Sequence, residues 1–231
     1  MRQLFPEVID PVDPVDVYSD LPVAEGRPSV RLNMISSVDG STTIKGASGA
    51  LGSLGDKRVF AVLRSFADVV LVAAGTVRAE HYGPASVPIA VVTRTADLDW
   101  QSPFFTEAKA RPLVVTDDAA PSGNVERAAK VADVVIAGTD GVDFSRALAE
   151  LAARGFRHVL AEGGPTLNAE LARARLIDEL CLTFSPKIVA GDAKKILAGP
   201  ILPEPIDLSL RSLLEDDGYL FLRYRATSSS R

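Results

Sequence analysis

Asp39 lies where an apolar run, "SVRLNMI" at 29–35, gives way to the polar turn "SSVDGST". A rigid strand can present a side chain at its exit, under a loop that covers it, and catalytic groups are often found at such places. An aspartate followed by glycine is also ordinary turn chemistry. We therefore take Asp39 as the first candidate catalytic residue, with a plain turn as the alternative.

The segment "AEGGPTLNAEL" at 161–171 predicts a strand that ends at Glu162 and passes through Gly163 and Gly164 into a helix that begins near Pro165. Free N–H groups and the helix dipole at such a junction attract an anion, typically a phosphate or pyrophosphate. The segment matches neither common glycine-rich phosphate fingerprint. A tight strand-to-helix connection without a ligand is therefore the alternative.

Two further strand ends carry small or polar residues. "VAAGTVRAE" at 72–80 leads into Gly75 and Thr76, and "VVTRT" at 91–95 leads into Thr93 and Arg94. Open α/β sheets bind ligands outside the carboxyl ends of their strands, so these segments predict one shared crevice. Arg94 is suited to a bidentate contact with an adenosine 2′-phosphate, and a solvated loop arginine is the alternative.

A glycine-rich segment, 40–55, separates Asp39 from a helical pattern in "DKRVFAVLRSFA". Such a segment can close over a substrate and exclude water, although a plain surface loop has the same composition. Asp56 opens the helical pattern and Arg64 lies within it. First-turn helix stabilisation and a surface ion pair are the structural alternatives for these two residues.

These side chains depend on alternating strands and helices. We predict strands from short, β-branched-rich apolar runs, and their near-continuous apolarity suits a sheet covered on both faces. The runs are 29–35, 68–74, 88–93, 112–116, 133–138 and 158–162, and later strands are expected in "ELCLTFS" and at 218–225. Residues 1–28 are read as an extended proline-rich arm, 29–225 as one domain and 226–231 as a frayed tail.

Composition restricts the function classes. The 231 residues are 47% hydrophobic and 24% charged, with a net charge of −5 and no basic cluster that interleaves with aromatic residues, so nucleic-acid binding gains no support. One cysteine and two distant histidines disfavour a metal site. No transmembrane or signal segment stands out, and the expected location is the cytoplasm.

In combination, "NMISSVDGSTT", "DKRVFAVLRSFADVVLVAAGTVRAE" and "FRHVLAEGGPTLNAELARARLIDELCLTFSPKIVAG" resemble the pyrimidine reductase domain of riboflavin biosynthesis, within the dihydrofolate-reductase-like superfamily. The resemblance runs from about Pro28 to Tyr224. It implies a three-layer α/β fold with a mixed, mostly parallel central sheet flanked by helices, NADPH as cofactor, and a homodimer.

The resemblance also implies roles for individual residues. Asp39 and Ser37 match the family's Ser-Leu-Asp-Gly motif, with Val38 in place of leucine. The positions implied to bind the cofactor are Gly75, Thr76, Thr93, Arg94, Glu162, Gly163, Gly164, Pro165 and Thr166. Two departures from the family are the absence of the zinc deaminase signature and of a tryptophan before the helix, where this chain reads "GALGSLGDKR".

The implied reaction is hydride transfer from the nicotinamide to an imine carbon, with a proton delivered to the nitrogen. Asp39 is expected to orient the substrate and support proton transfer, directly or through water, with a pKa raised by burial against the nicotinamide. Arg64 or Arg58 is expected to bind an anionic tail of the substrate, and Asp56 with Phe60 resembles the acidic-aromatic helix of dihydrofolate reductases. The predicted substrate is a ribosylamino-pyrimidine 5′-phosphate. Dihydrofolate or another pterin is the second candidate, and a module that binds NADPH or a pyrimidine without turnover is the third.

Overall fold

The predicted apolar runs form the strands of one ten-stranded sheet in the computed structural model, which describes residues 1–227. The β-branched side chains in these runs suit an extended, buried backbone. In chain order the strands are β1 (Arg2–Phe5), β2 (Ser29–Ser37), β3 (Val69–Ala73), β4 (Ile89–Val92), β5 (Leu113–Thr116), β6 (Asp133–Ile136), β7 (His158–Ala161), β8 (Glu179–Ser185), β9 (Leu208–Asp216) and β10 (Tyr219–Ala226).

The strand order across the sheet is β1-β9-β10-β8-β2-β7-β3-β4-β5-β6. Pairing is parallel from β8 through β2 to β6 and antiparallel from β1 through β9 and β10 to β8. This arrangement confirms the prediction of a mixed, mostly parallel sheet. Strands β1 and β9 were not among the predicted strands.

Helices cover both faces of the sheet. They are α1 (Pro14–Tyr18), α2 (Leu54–Ser65), α3 (Ala74–Ala79), α4 (Pro103–Thr106), α5 (Ser122–Val131), α6 (Phe144–Ala153) and α7 (Pro165–Arg173). Alternate residues of β3 enter different cores: Val70 and Val72 pack in one apolar cluster with α2, and Val69 and Leu71 pack in another with α6 and α7. Two cores on opposite faces of one sheet give the predicted three-layer fold.

The N-terminal segment belongs to the same sheet, because β1 pairs with β9. A buried ionic cluster holds the end of α1: Glu179 forms an ion pair with Arg31, with 2.5 Å between the charged atoms, and accepts from the guanidinium group of Arg223 at 2.9 Å. These arginines also donate to the backbone carbonyl groups of Tyr18 and Val17. The division of the chain at residue 28 stays a prediction, but residues 1–28 form more than an extended arm.

At the other terminus, the expected tail lies mainly in 228–231, outside the described residues. Its first two residues are ordered, since the backbone N–H groups of Ala226 and Thr227 donate to Asp178 and Asp207. Within residues 1–227, no helix has both the length and the apolar character needed to cross a membrane. The cytoplasmic location and the homodimer stay predictions.

Candidate active site

A cavity of about 630 Å³ opens at the carboxyl ends of β2, β3 and β7. It lies between the Gly163-Gly164 connection, the start of α2 and the loops that follow β2 and β8. Its walls include Asn33, Met34, Thr42, Thr43, Ser48, Asp56, Phe60, Gly75, Thr76, Glu80, Tyr82, Glu162, Gly164, Pro165, Thr166, Asp192 and Lys194. The two glycine-bearing strand ends that were predicted to share one crevice, after β3 and after β7, both line this cavity.

The strand-to-helix junction after β7 forms one end of this cavity. Gly164 is the N-cap of α7, and no side chain caps that helix. A β-carbon on Gly164 would lie 2.8 Å from Oγ1 of Thr76, so the close approach of the two segments requires glycine. The first N–H groups of α7 are therefore available to an anionic group, and the dipole of the helix favours one.

The junction after β3 lies beside it, because β3 and β7 are neighbours in the sheet. The backbone N–H of Ala73 donates to Gly163 O at 2.7 Å, which fixes the two strand ends to each other. Gly75 lies in the first turn of α3 and lines the cavity, and a β-carbon there would have no protein atom within 4 Å. The space between the starts of α3 and α7 is bordered by backbone N–H groups, which suits a pyrophosphate.

The segment after β4 lies farther along the sheet. Thr93 is buried and its backbone N–H donates to Val115 O at 3.0 Å, while Arg94 is exposed. Neither residue lines the cavity. Their assigned contact with an adenosine phosphate stays a prediction.

Glu162 is bound by two partners at the cavity wall. Arg64 donates to both carboxylate oxygens at 2.7 Å, and the Tyr82 hydroxyl donates to Oε2 at 2.6 Å. Burial opposes the charged form of Arg64, but the hydrogen bonds and charge of Glu162 raise the pKa of Arg64 overall. Burial and the charge of Glu162 raise the pKa of Tyr82. Arg64 is thus paired with Glu162 and does not line the cavity. This pairing disagrees with the prediction that Arg64 binds an anionic tail of the substrate.

Arg58 lies outside the cavity. It extends from α2 towards Asp13, with 3.3 Å between the charged atoms, and both side chains are about half exposed. Residues two positions apart on a helix face nearly opposite directions. Since Asp56 and Phe60 face the cavity, Arg58 turns away from it, and the structure does not support its predicted role in substrate binding.

Asp39 and Ser37, which were predicted to act on the substrate, do not line the cavity. Asp39 is exposed. It accepts hydrogen bonds from Ser37 Oγ at 2.5 Å and from the backbone N–H of Ala190 at 2.7 Å. The bond from Ser37, with backbone N–H groups, lowers the pKa of Asp39 to about 2. The expected rise depends on burial against a nicotinamide and stays a prediction. These bonds connect the turn after β2 with the loop after β8.

Asp56 has the environment that was expected of Asp39. It lies in the first turn of α2 and lines the cavity. Burial raises the pKa of Asp56, and a hydrogen bond with the Thr183 side chain opposes that rise in part. Ser53, not Asp56, caps the helix by accepting from the Asp56 backbone N–H at 3.1 Å. The carboxyl group of Asp56 is therefore not used as a cap.

Several cavity residues carried no recognisable signal in the sequence. Tyr82, Glu80, Asp192 and Lys194 lie in irregular segments, where periodicity says nothing about direction. The loop with Lys194 is fixed by Thr42, whose hydroxyl donates to Lys194 O at 2.7 Å. Among the described residues that line the cavity, Lys194 is the one cationic residue.

The described acidic residues of the cavity are not grouped closely enough to bind a metal ion. Within residues 1–227, no three histidine, cysteine, aspartate or glutamate side chains are grouped so that they could hold a metal ion. The cavity offers hydrogen-bonding groups, two helix starts without side-chain caps and, among its described lining residues, one cation, Lys194.

Known proteins resemble this chain over most of its length. Residues 28–219 match the RibD C-terminal domain. The 2,5-diamino-6-ribosylamino-4(3H)-pyrimidinone 5′-phosphate reductase of Aquifex aeolicus is 31% identical over 186 residues, which cover 75% of this chain and 83% of that protein. The enzyme of the same name from Methanothermobacter thermautotrophicus is 30% identical over 193 residues, 78% of this chain and 88% of that protein.

Solved structures agree with the fold. A pyrimidine reductase-like protein from Corynebacterium diphtheriae superposes with a TM-score of 0.82 at 26% identity, covering 94% of this chain and 100% of that chain. Dihydrofolate reductase from Enterococcus faecalis, complexed with NADP(H), has a TM-score of 0.51 at 13% identity, over 90% of this chain and 100% of that chain, and shares the fold alone. The fold prediction is confirmed.

The curated relatives are reductases by name, which confirms the prediction of an enzyme in the oxidoreductase class. The match to the RibD C-terminal domain extends over most of the sequence and contains the Gly-Gly junction, the first turn of α2 and the strand ends that form the cavity. The chain belongs to the RibD C-terminal domain family.

Proposed function

We propose that this protein uses NADPH to reduce a ribosylamino-pyrimidine 5′-phosphate at the imine carbon of its opened ribose. The observation that carries the proposal is the cavity itself, where two helix starts without side-chain caps face a partly buried carboxyl group, Asp56. The names of the relatives support the substrate class.

The cofactor phosphates would be held where β3 and β7 end. Backbone N–H groups at the starts of α3 and α7 and the Thr76 hydroxyl are the donors available there. Gly75 and Gly164 leave room for the phosphates to approach the backbone. When bound, NADPH supplies the hydride, and the protein has to align its nicotinamide ring with the substrate.

Asp56 would act on the substrate. Reduction of the imine would also require one proton on its nitrogen. A carboxyl group whose pKa is raised by burial holds a proton at a higher pH than a free aspartate. Asp56 can therefore bind the nitrogen-rich substrate through a hydrogen bond and supply this proton, directly or through water.

Lys194 would bind the 5′-phosphate of the substrate. Asp56, Glu80, Glu162 and Asp192 give the cavity wall an acidic character, whereas a phosphate needs a cation or N–H donors. Arg58 points away and Arg64 is paired, which leaves Lys194 among the described cavity residues.

Gly75→Ala is expected to leave the fold intact and to weaken NADPH binding by about tenfold or more. The new methyl group meets no protein atom within 4 Å, and alanine favours a helix by about 0.5–1 kcal/mol over glycine. Thermal unfolding and NADPH titration of the same sample separate the two effects. Unchanged NADPH affinity would remove Gly75 from the cofactor site.

Lys194→Met is expected to raise KM for the phosphorylated substrate by about tenfold, since one charge-assisted hydrogen bond contributes about 1.5–3 kcal/mol. The matched measurement uses the same pyrimidine without its phosphate, for which wild type and variant should have equal KM. Lys195→Met is the control, because Lys195 is an exposed neighbour that does not line the cavity. Equal KM changes for both substrates would place the phosphate elsewhere.

The function is tested by following the loss of NADPH absorbance with the ribosylamino-pyrimidine 5′-phosphate and with dihydrofolate in parallel. Turnover of the pyrimidine alone is the expected result. Turnover of dihydrofolate instead would mean that the cavity accepts a pterin. NADPH binding without oxidation of either substrate would identify a binding module.

A further inference from the structure

Lys187 and Tyr219 form a polar pair beside the turn that precedes α2. Lys187 Nζ donates to the Tyr219 hydroxyl at 2.6 Å and to Ser185 Oγ at 3.2 Å, and it lies 5.1 Å from the centre of the tyrosine ring. Tyr219 is buried at the start of β10, and Lys187 follows the end of β8. Neither residue lines the cavity.

The pair binds the turn that precedes α2. The Tyr219 hydroxyl donates to Gly52 O at 3.3 Å, and Lys187 Nζ donates to Leu51 O at 3.4 Å. The same turn contacts Asp56, since a β-carbon on Gly52 would lie 3.0 Å from Asp56 Oδ2. A shift of this turn would therefore move the carboxyl group.

A second connection runs along β8. Thr183 and Ser185 are buried on the same face of the strand, and Ser185 accepts from Lys187. Burial raises the pKa of the Asp56 carboxyl group, and Thr183 lies close enough to Asp56 to lower that pKa in part. The hydrogen bond from Lys187 lowers the pKa of Tyr219, and the negative charge of Asp56 opposes that effect. Asp56 and the Lys187–Tyr219 pair are thus connected through the turn and through the strand.

We infer that Lys187 and Tyr219 are positioning residues for the reduction: they hold the turn at 51–53, and thereby hold the carboxyl group of Asp56 at the cavity wall. The inference rests on the proposed function in that Asp56 acts on the substrate. It assigns neither residue a contact with the substrate or the cofactor.

The kinetic test is a double-mutant cycle with Asp56→Asn. Lys187→Met and Tyr219→Phe should each lower kcat by about 10- to 100-fold with NADPH affinity unchanged, because a small displacement of a catalytic group has effects of that size. In the Asp56→Asn background the same substitutions should lower kcat no further. Lys187→Arg should restore part of the rate. Lys57→Met, at an exposed position of α2, is the control.

A titration of the Asp56 carboxyl carbon by NMR tests the inference without turnover. Tyr219→Phe leaves the Lys187 charge in place, so release of the turn should bring the pKa of Asp56 down towards its ordinary value. The charged or titratable groups around Asp56 are Lys187 after β8, Tyr219 on β10, Asp216 on β9 near Gly55, and Glu80, Glu162, Asp192 and Lys194 in the cavity. Tyr219→Phe removes the tyrosine hydroxyl and alters none of the other charges.

Two results would overturn the inference: an unchanged Asp56 titration in Tyr219→Phe, or losses of kcat that add to that of Asp56→Asn. Additive losses are expected of residues that only stabilise the fold. If wild type does not turn over the pyrimidine phosphate, the proposed function fails, whereas the titration still decides whether the pair positions Asp56.

Discussion

Replacing Asp56 with asparagine is expected to lower kcat for the pyrimidine phosphate by about 100-fold or more, with the Kd for NADPH unchanged. Asparagine has nearly the same shape, but it has no acidic proton to give. Positioned general acids contribute about 10²–10⁴-fold to a rate. Single-turnover oxidation of bound NADPH reports the chemical step directly, and a separate fluorescence titration gives the NADPH affinity.

Asp39→Asn is the matched control, since the sequence assigned this same role to Asp39. The exposed Asp39 carboxylate is held by Ser37 and by the backbone after β8, and we expect kcat to stay within about threefold of wild type. Loss of hydride transfer in Asp39→Asn with its retention in Asp56→Asn would return the catalytic role to Asp39.

Asp56→Asn should also change stability, in a pH-dependent way. The folded-state pKa of Asp56 is raised by burial, so its charged form destabilises the fold. This destabilisation is absent below the unfolded-state pKa and develops as the pH rises through the folded-state pKa. Asparagine avoids it, so urea denaturation should show the variant to be more stable than wild type near neutral pH and equal to it in acid.

Short-range patterns in the sequence predicted the scaffold well. The apolar runs at 68–74 and 158–162 became β3 and β7, and the helical pattern in "DKRVFAVLRSFA" became most of α2. These predictions depend only on neighbouring residues: a strand buried on both faces is apolar throughout, and a helix buried on one face has an apolar stripe. The Gly-Gly junction was predicted for the same reason: strand, turn and helix start are all local.

Side-chain partners far apart in the sequence were not predictable. Asp39 meets Ala190, and Arg64 meets Glu162, only after the sheet has formed, and these contacts decide which charges remain free. Lys194 reaches the cavity wall on an irregular loop without periodicity. Strand β9 was missed because its burial alternates only in its second half.

Arg64→Met is expected to lower the free energy of unfolding by about 3–5 kcal/mol, the usual effect of removing one partner of a buried ion pair. The side chain of Glu162 is only 3% exposed and would keep Tyr82 as its one side-chain partner. Urea denaturation measures the change. Glu162→Gln should have a smaller effect, about 1–3 kcal/mol, because the Arg64 side chain is 24% exposed and can turn towards water.

The double variant Arg64→Met/Glu162→Gln decides what the pair is for. If it is more stable than Arg64→Met alone, the penalty in the single variant comes from the unpaired carboxylate, and Arg64 serves to neutralise Glu162. The NADPH affinity of the double variant then shows whether the Glu162 carboxylate binds the cofactor, because the fold of this variant does not depend on that charge. A double variant that folds well but binds NADPH poorly would make the Glu162 carboxylate a cofactor-binding group, as the sequence predicts. A double variant that binds NADPH normally would leave Glu162 with the structural task of holding α2 against the end of β7.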